Sequence, residues 1–148
     1  MRKKAVRALV LIPTVALAVV GTSGAIAKPA KPHAGAWQGT KVQLGYGLSF
    51  KVSRSRRRIT KIVAGVLADC DTGESTTTTF APDSLWTIRR GRFRGRHRER
   101  FGKVTAYFTF RGRFTSSTRA VGELRAESIV AGTRCDTGRL RWQAKARG

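Results

Sequence analysis

Cys70-Asp71-Thr72-Gly73 recurs near the end of the chain as Cys135-Asp136-Thr137-Gly138, and these two segments hold the only cysteines of the 148 residues. Two thiols in a chain exported to an oxidising compartment most economically pair with each other. The bridge would close a loop of about 65 residues, for which the chain-entropy estimate is on the order of 4 kcal/mol. We therefore predict a Cys70–Cys135 disulfide that ties the middle of the domain to its end.

The first 27 residues have the pattern of a secretory signal peptide. A cationic head precedes an uncharged apolar run, which ends at Ala25-Ile26-Ala27, the small-x-small pattern that a signal peptidase accepts. An uncleaved anchor is the alternative, because residues 8–27 carry no charge and are long enough to span a bilayer. Pro13 and the Gly/Ser end of the run favour cleavage. The sequence thus predicts a secreted or cell-envelope protein with no membrane span after cleavage.

The chain is strongly basic, with 30 Lys and Arg against eight Asp and Glu. Residues 1–27 contain four of the basic residues, so the remainder has a formal net charge of +18. Such a balance bears on partners and solubility rather than on fold. Residues 28–36, rich in Pro, Lys and Gly, are predicted to form an extended linker, and residues 37–147 a single domain.

Several stretches of the predicted domain alternate apolar and polar residues. This alternation runs over residues 42–52, 104–110 and 140–146, and it is typical of strands with one buried face. Residues 59–68 are apolar at both odd and even positions, which predicts a central strand covered on both sides.

The remaining strand signals complete an all-β prediction. Residues 76–80 are β-branched and predict an edge strand, residues 84–88 a further strand, and residues 120–133 a long strand interrupted at Gly122 and Gly132. Helical periodicity is absent after the signal segment. We therefore predict a single antiparallel β-sandwich or flattened barrel of about eight to ten strands.

Strand and turn signatures give the chain a family resemblance. The segments that carry it are Gly35-Ala36-Trp37-Gln38-Gly39-Thr40, Leu48-Ser49-Phe50-Lys51-Val52, Gly91-Arg92-Phe93, and Cys135-Asp136-Thr137-Gly138 ahead of Trp142-Gln143-Ala144. In these segments the chain resembles small exported bacterial all-β proteins of unknown function. The resemblance implies the all-β fold and the disulfide, and it implies no catalytic residue.

A basic stretch, residues 89–103, is the main candidate for binding. If it is extended, alternation places one set of arginines on one face: Arg90, Arg92, Arg94, Arg96, Arg98 and Arg100. Guanidinium groups about 6.6 Å apart along a strand suit bidentate contacts with phosphate, sulfate or carboxylate groups. Because like charges repel, we expect a mobile loop in the absence of an anion. Phe93, Phe101 and Tyr107 are expected to pack inside rather than to stack on a ligand.

The sequence offers little support for catalysis. The doubled Asp-Thr-Gly resembles the active-site loops of aspartic proteases, in which two carboxylates share a proton. Cysteine precedes each aspartate here, Arg134 and Arg139 would keep both carboxylates ionised, and the chain is too short for two lobes. Turn formation by Asp and Gly is the simpler interpretation. We predict no enzyme activity and no cofactor, with an aspartic-protease-like enzyme as a remote alternative.

Metal binding, a hydrolytic triad and a sugar platform are the other chemistries weighed. His33 and His97 are the only histidines; neither spacing nor number suggests a metal site, and His97 lacks an evident oriented partner for a triad. The three tryptophans, Trp37, Trp86 and Trp142, lie in alternating strands and are expected in the core.

These observations lead to a prediction about function. The chain is expected to be an exported, non-catalytic β-domain that binds anionic envelope or extracellular polymers through an arginine-rich face. Nucleic acid is expected to bind only non-specifically. The alternative is a structural or protein-interaction module whose charge is incidental.

Overall fold

The computed structural model describes residues 28–41 and 47–148. The predicted signal peptide, residues 1–27, and the segment 42–46 of one predicted strand lie outside these ranges. The described residues form ten strands and no helix: β1 Gly35–Lys41, β2 Leu48–Val52, β3 Arg58–Cys70, β4 Ser75–Phe80, β5 Trp86–Arg89, β6 Arg92–Phe101, β7 Val104–Phe114, β8 Arg119–Val130, β9 Thr133–Asp136 and β10 Leu140–Ala146. A helix long and apolar enough to cross a membrane is therefore not found in these ranges.

The ten strands form one antiparallel sheet that closes on itself. Its order is β10-β1-β2-β3-β5-β6-β7-β8, and β8 pairs back with β10, so these eight strands make a ring. Strand β9 pairs with β8 and β3, and β4 pairs with β3 at an edge, as predicted for residues 76–80. The all-β prediction is confirmed, and the closure corresponds to its flattened-barrel form.

The first described strand overlaps the segment predicted as a linker. Strand β1 starts at Gly35, inside the predicted linker, and pairs with β2 so that Trp37 lies opposite Phe50. The linker also contacts the domain: Pro32 is buried, and the indole Nε1 of Trp37 donates to the carbonyl oxygen of His33 at 3.1 Å. The predicted alternation is confirmed over β2, where Leu48, Phe50 and Val52 are buried.

The prediction that residues 59–68 are covered on both sides was wrong. Strand β3 buries one face, and Val63 on the other is 41% exposed. Lys51 pairs with Thr60 and Ser49 with Val63, so two residues of β3 lie opposite Phe50, and the first of them, Lys61, has φ +49°. This β-bulge lets Ile59 and Ile62, three positions apart, both face the core. Because the bulge shifts the alternation by one residue, a strand with one buried face has apolar residues at both odd and even positions.

The prediction of a strand break at Gly122 was also wrong, whereas the break at Gly132 is confirmed. Strand β8 runs through Gly122, which lies between Gly112 of β7 and Trp142 of β10. A Cβ at Gly122 would collide with the Trp142 indole and with the carbonyl oxygen of Arg111. Glycine is therefore required here because the indole lies flat against the sheet. The chain turns only at Ala131-Gly132, where both φ angles are positive.

Stacked aromatic rings fill the space inside the ring of strands. Trp142 and Phe110 lie 4.8 Å apart between ring centroids, and Phe50 contacts both. The exposed fractions of Trp37, Trp86 and Trp142 are 1%, 5% and 1%. The tryptophans are core residues, as predicted, and not a sugar platform.

The predicted disulfide is confirmed. Cys70 and Cys135 lie directly opposite each other in the β3–β9 pair, with an S–S distance of 1.99 Å. Each Asp-Thr-Gly segment then makes a turn. The Gly73 N–H donates to the Cys70 carbonyl oxygen at 3.0 Å, and the Gly138 N–H donates to Asp136 Oδ1 at 2.8 Å. Both glycines have positive φ, which explains their place in the repeated segment.

Candidate functional site

The arginine-rich stretch is a strand rather than the expected mobile loop. Strand β6 pairs with β7 in unbroken register over ten residues, from Arg92↔Arg113 to Phe101↔Val104. Backbone pairing with β7 and burial of Phe93 hold it in place despite its charge. Five of the six predicted arginines share its exposed face, and we call this set the arginine ladder: Arg92, Arg94, Arg96, Arg98 and Arg100. The sixth, Arg90, lies in the β5–β6 turn with φ +49°.

Ion pairs hold three arginines of the neighbouring strands, Arg111, Arg125 and Arg134, but none of the arginine ladder. Glu123 on β8 accepts from Arg111, with Nε 3.0 Å from Oε2, Asp136 accepts from Arg125, and Glu127 from Arg134 at 3.0 Å. Within the described ranges, no ladder guanidinium makes an ion pair. The positive charge of this face is therefore uncompensated along β6.

The ion-paired carboxylates are held in their charged form. The hydrogen bond from Arg111 lowers the pKa of Glu123 below its ordinary value, and Arg139 and Arg141 add to this effect. The hydrogen bond from Arg125 lowers the pKa of Asp136, and the backbone N–H of Gly138 and the charge of Arg134 act in the same direction. Both acids therefore stay ionised at neutral pH and remain bound to β7–β9 arginines.

A wide groove of about 1330 Å³ crosses this face at one end of the arginine ladder. Its lining includes Gly112, Val121 and Gly122. Glu123 is its only acidic lining residue, and six arginines surround it: Arg89, Arg92, Arg94, Arg111, Arg113 and Arg141. Here Arg92 lies opposite Arg113, and Arg94 opposite Arg111. We call this feature the arginine groove.

Tyr107 lies on the exposed face of β7, contrary to the expectation that it packs inside. The guanidinium carbons of Arg96 and Arg98 are 5.7 and 5.6 Å from the centroid of its ring. One aromatic ring thus holds two ladder arginines by cation–π contact. Of the other two aromatics, Phe93 is buried as expected, whereas Phe101 is 59% exposed and that expectation was wrong.

His97 has a partner that the sequence did not reveal. Ser84 Oγ lies 2.7 Å from His97 Nδ1, and Glu99 Oε2 lies 3.7 Å from Nε2. Ser84 precedes β5 and comes close because the β5–β6 turn reverses the chain. The hydrogen bond fastens the loop before β5 to β6. No group of three or more His, Cys, Asp and Glu in the described part of the chain could hold a metal ion.

The two Asp-Thr-Gly carboxylates have separate structural partners. Asp136 accepts from Arg125, and Asp71 Oδ2 accepts from the Arg134 backbone N–H at 3.3 Å. An aspartic-protease dyad needs two carboxylates that share one proton. The contacts described here instead stabilise the turns beside the disulfide.

A comparison of the chain with protein-family models, curated proteins and solved structures finds no match. The resemblance to small exported bacterial all-β proteins therefore stays a prediction.

Proposed function

We propose that this protein is an exported, non-catalytic domain that binds anionic polymers of the cell envelope or extracellular space through the arginine ladder and arginine groove. The observation that carries this proposal is the row of five exposed arginines on β6, none of which makes an ion pair in the described ranges. The signal-like first segment and the disulfide support export.

The arrangement is unfavourable for the free protein and favourable for an anion-bound one. Like charges directly opposite each other across an antiparallel pair are destabilising, and Arg92 faces Arg113 in this way. Three of the eight acids, Glu123, Glu127 and Asp136, pair with arginines of β7–β9 rather than with the arginine ladder. A bound polyanion would supply the missing negative charge along β6.

The geometry favours a polymer with repeated phosphate, sulfate or carboxylate groups. In an antiparallel pair such as β6–β7, alternate residues of a strand are about 6.8 Å apart, so each ladder arginine can contact a separate anionic group. The guanidinium fork makes bidentate hydrogen bonds with oxyanions, which a lysine ammonium does not. Tyr107 limits the motion of Arg96 and Arg98, which lowers the entropy lost on binding. Single-stranded nucleic acid would satisfy the same contacts without sequence preference.

Two charge-matched variants test the proposal. One replaces the five ladder arginines by glutamine; the other replaces five exposed arginines elsewhere, none ion-paired in the described ranges: Arg54, Arg56, Arg57, Arg119 and Arg147. Both lose five charges. We expect the ladder variant to lose at least tenfold in affinity for dextran sulfate, polyphosphate or polygalacturonate, and the control to lose much less. Equal losses would mean that the charge is incidental, as in a structural or protein-interaction module.

A further inference from the structure

Three apolar side chains lie in register at one end of the sheet. Phe101 pairs with Val104, and Val104 pairs with Val130, so the three form a row across β6, β7 and β8. Phe101 is 59% exposed and Val130 44% exposed. We call this row the apolar tip. Large apolar groups clustered at an exposed edge point to a binding surface more strongly than scattered ones do.

Turn geometry places the row at the edge of the molecule. The β6–β7 hairpin is closed by Gly102-Lys103, a two-residue turn that starts with φ +55° at Gly102. The β8–β9 hairpin is closed by Ala131-Gly132 at the same end, since Val130 pairs with both Val104 and Thr133. Among the described residues no strand pairing extends beyond these two turns, and Phe101 and Val130 are exposed there.

Cations lie on both sides of Phe101. Arg100 and Lys103 are exposed, and Arg98 lies one step further along the exposed face of β6. The carboxylate of β6 belongs to Glu99, two residues before Phe101 on the same face of the strand. It lies 3.7 Å from His97 Nε2. An aromatic residue at an exposed turn, flanked by long cationic side chains, is suited to the boundary between lipid headgroups and acyl chains.

We infer that the apolar tip docks on the surface of an anionic lipid bilayer, with Phe101 and Val130 entering the acyl boundary. Each Lys or Arg near an anionic surface contributes about 1 kcal/mol, and apolar insertion adds a contribution that salt does not screen. The row is too narrow for a standard protein interface, which covers about 800 Å² on each partner. Arg98 and Arg100 belong to the arginine ladder as well, but this inference depends on the apolar tip and not on polymer binding.

The direct test places a fluorescent probe at the tip. Phe101→Trp protein is mixed with phosphatidylglycerol vesicles whose acyl chains are brominated, and with brominated phosphatidylcholine vesicles. We expect quenching of the new tryptophan on the anionic vesicles and little on the neutral ones. The wild type is the control, because its three tryptophans are buried and should be quenched little. Equal emission from Phe101→Trp with and without bromine in the anionic vesicles would overturn the inference.

A second measurement separates the tip from the arginine ladder. Phe101→Ser with Val130→Ser should lower partition onto phosphatidylglycerol vesicles by about tenfold or more, and leave retention on dextran sulfate unchanged. Val63→Ser, at a valine with 41% exposure on β3, is the matched control and should change neither. Vesicle binding that survives the tip substitutions would contradict insertion and assign the binding to headgroup contacts alone. If only the ladder variant loses retention on dextran sulfate, polymer binding and vesicle docking depend on different residues.

Discussion

Arg92 lies directly opposite Arg113 in the β6–β7 register, and neither guanidinium makes an ion pair in the described part of the chain. We predict that Arg92→Gln raises the free energy of unfolding by about 0.2–1 kcal/mol, because it relieves cross-strand repulsion. The same change should weaken binding to dextran sulfate. Urea denaturation and a binding titration on one preparation measure both effects.

Lys145→Gln is the control for this substitution. Lys145 faces Arg119 across β10 and β8, which makes another like-charge pair, and it does not line the arginine groove. Lys145→Gln should raise the free energy of unfolding by a similar amount and leave the affinity for dextran sulfate unchanged. If Arg92→Gln and Lys145→Gln change affinity equally, the arginine groove has no special part in binding.

Tyr107 is expected to organise the arginine ladder through its ring and not through its hydroxyl group. Tyr107→Phe should bind dextran sulfate like the wild type, since the cation–π contacts to Arg96 and Arg98 persist. Tyr107→Thr should weaken binding about two- to fivefold, because Arg96 and Arg98 would then lose more side-chain entropy on binding, and ordering one such side chain costs about 0.5–1.5 kcal/mol. Isothermal titration can resolve this difference. A fall in affinity for Tyr107→Phe equal to that for Tyr107→Thr would refute the role of the ring.

The fold was predictable where local pattern agreed with long-range pairing. The alternation over β2, β7 and β10 and the two cysteines gave the strands and the disulfide correctly. The bulge at Lys61 was not predictable, because a positive φ at lysine leaves no trace in composition. Gly122 was wrongly predicted to interrupt the strand. Glycine is needed there because the indole of Trp142, some 20 residues further along the chain, leaves no room for a side chain.

In the candidate site, too, the local pattern was predictable and the long-range contacts were not. Alternation alone placed five arginines on one face of a strand. The expectation of a mobile loop was wrong, because it considered the repulsion between arginines without the backbone hydrogen bonds to β7, which keep the strand ordered. The contribution of Arg89, Arg113 and Arg141 to the arginine groove depends on strand order, which the sequence did not specify.

The indole of Trp142 leaves no room for a side chain at Gly122. Gly122→Ala should lower the free energy of unfolding by about 3 kcal/mol, because its Cβ would meet backbone and a buried ring that cannot move aside. Gly47→Ala is the control, since a Cβ there meets nothing within 4 Å. Chemical denaturation of both variants tests this. Equal stability of the two would show that the indole does not lie against Gly122.

The ion pairs of Glu123 and Asp136 predict the acid limit of stability. Both pKa values are lowered in the folded protein, so these carboxylates stabilise the fold above the ordinary carboxyl pKa, and that stabilisation is lost as the pH falls below about 4. Asp136→Asn should therefore flatten the fall in stability between about pH 4 and pH 2. Glu74→Gln, at an exposed carboxylate outside these ion pairs, should leave the curve unchanged. An unchanged curve for Asp136→Asn would contradict the assignment.

The salt dependence of affinity for single-stranded polynucleotide, used as a polymer of known charge spacing, tests the central claim most directly. Plotted as the logarithm of the binding constant against that of salt concentration, the slope counts the phosphate contacts, at about 0.7 per contact. If the arginine ladder binds the polymer, replacing its five arginines by glutamine should reduce the slope by about 3.5, and replacing Arg54, Arg56, Arg57, Arg119 and Arg147 should reduce it far less. Equal reductions in the two variants would contradict a dedicated binding face.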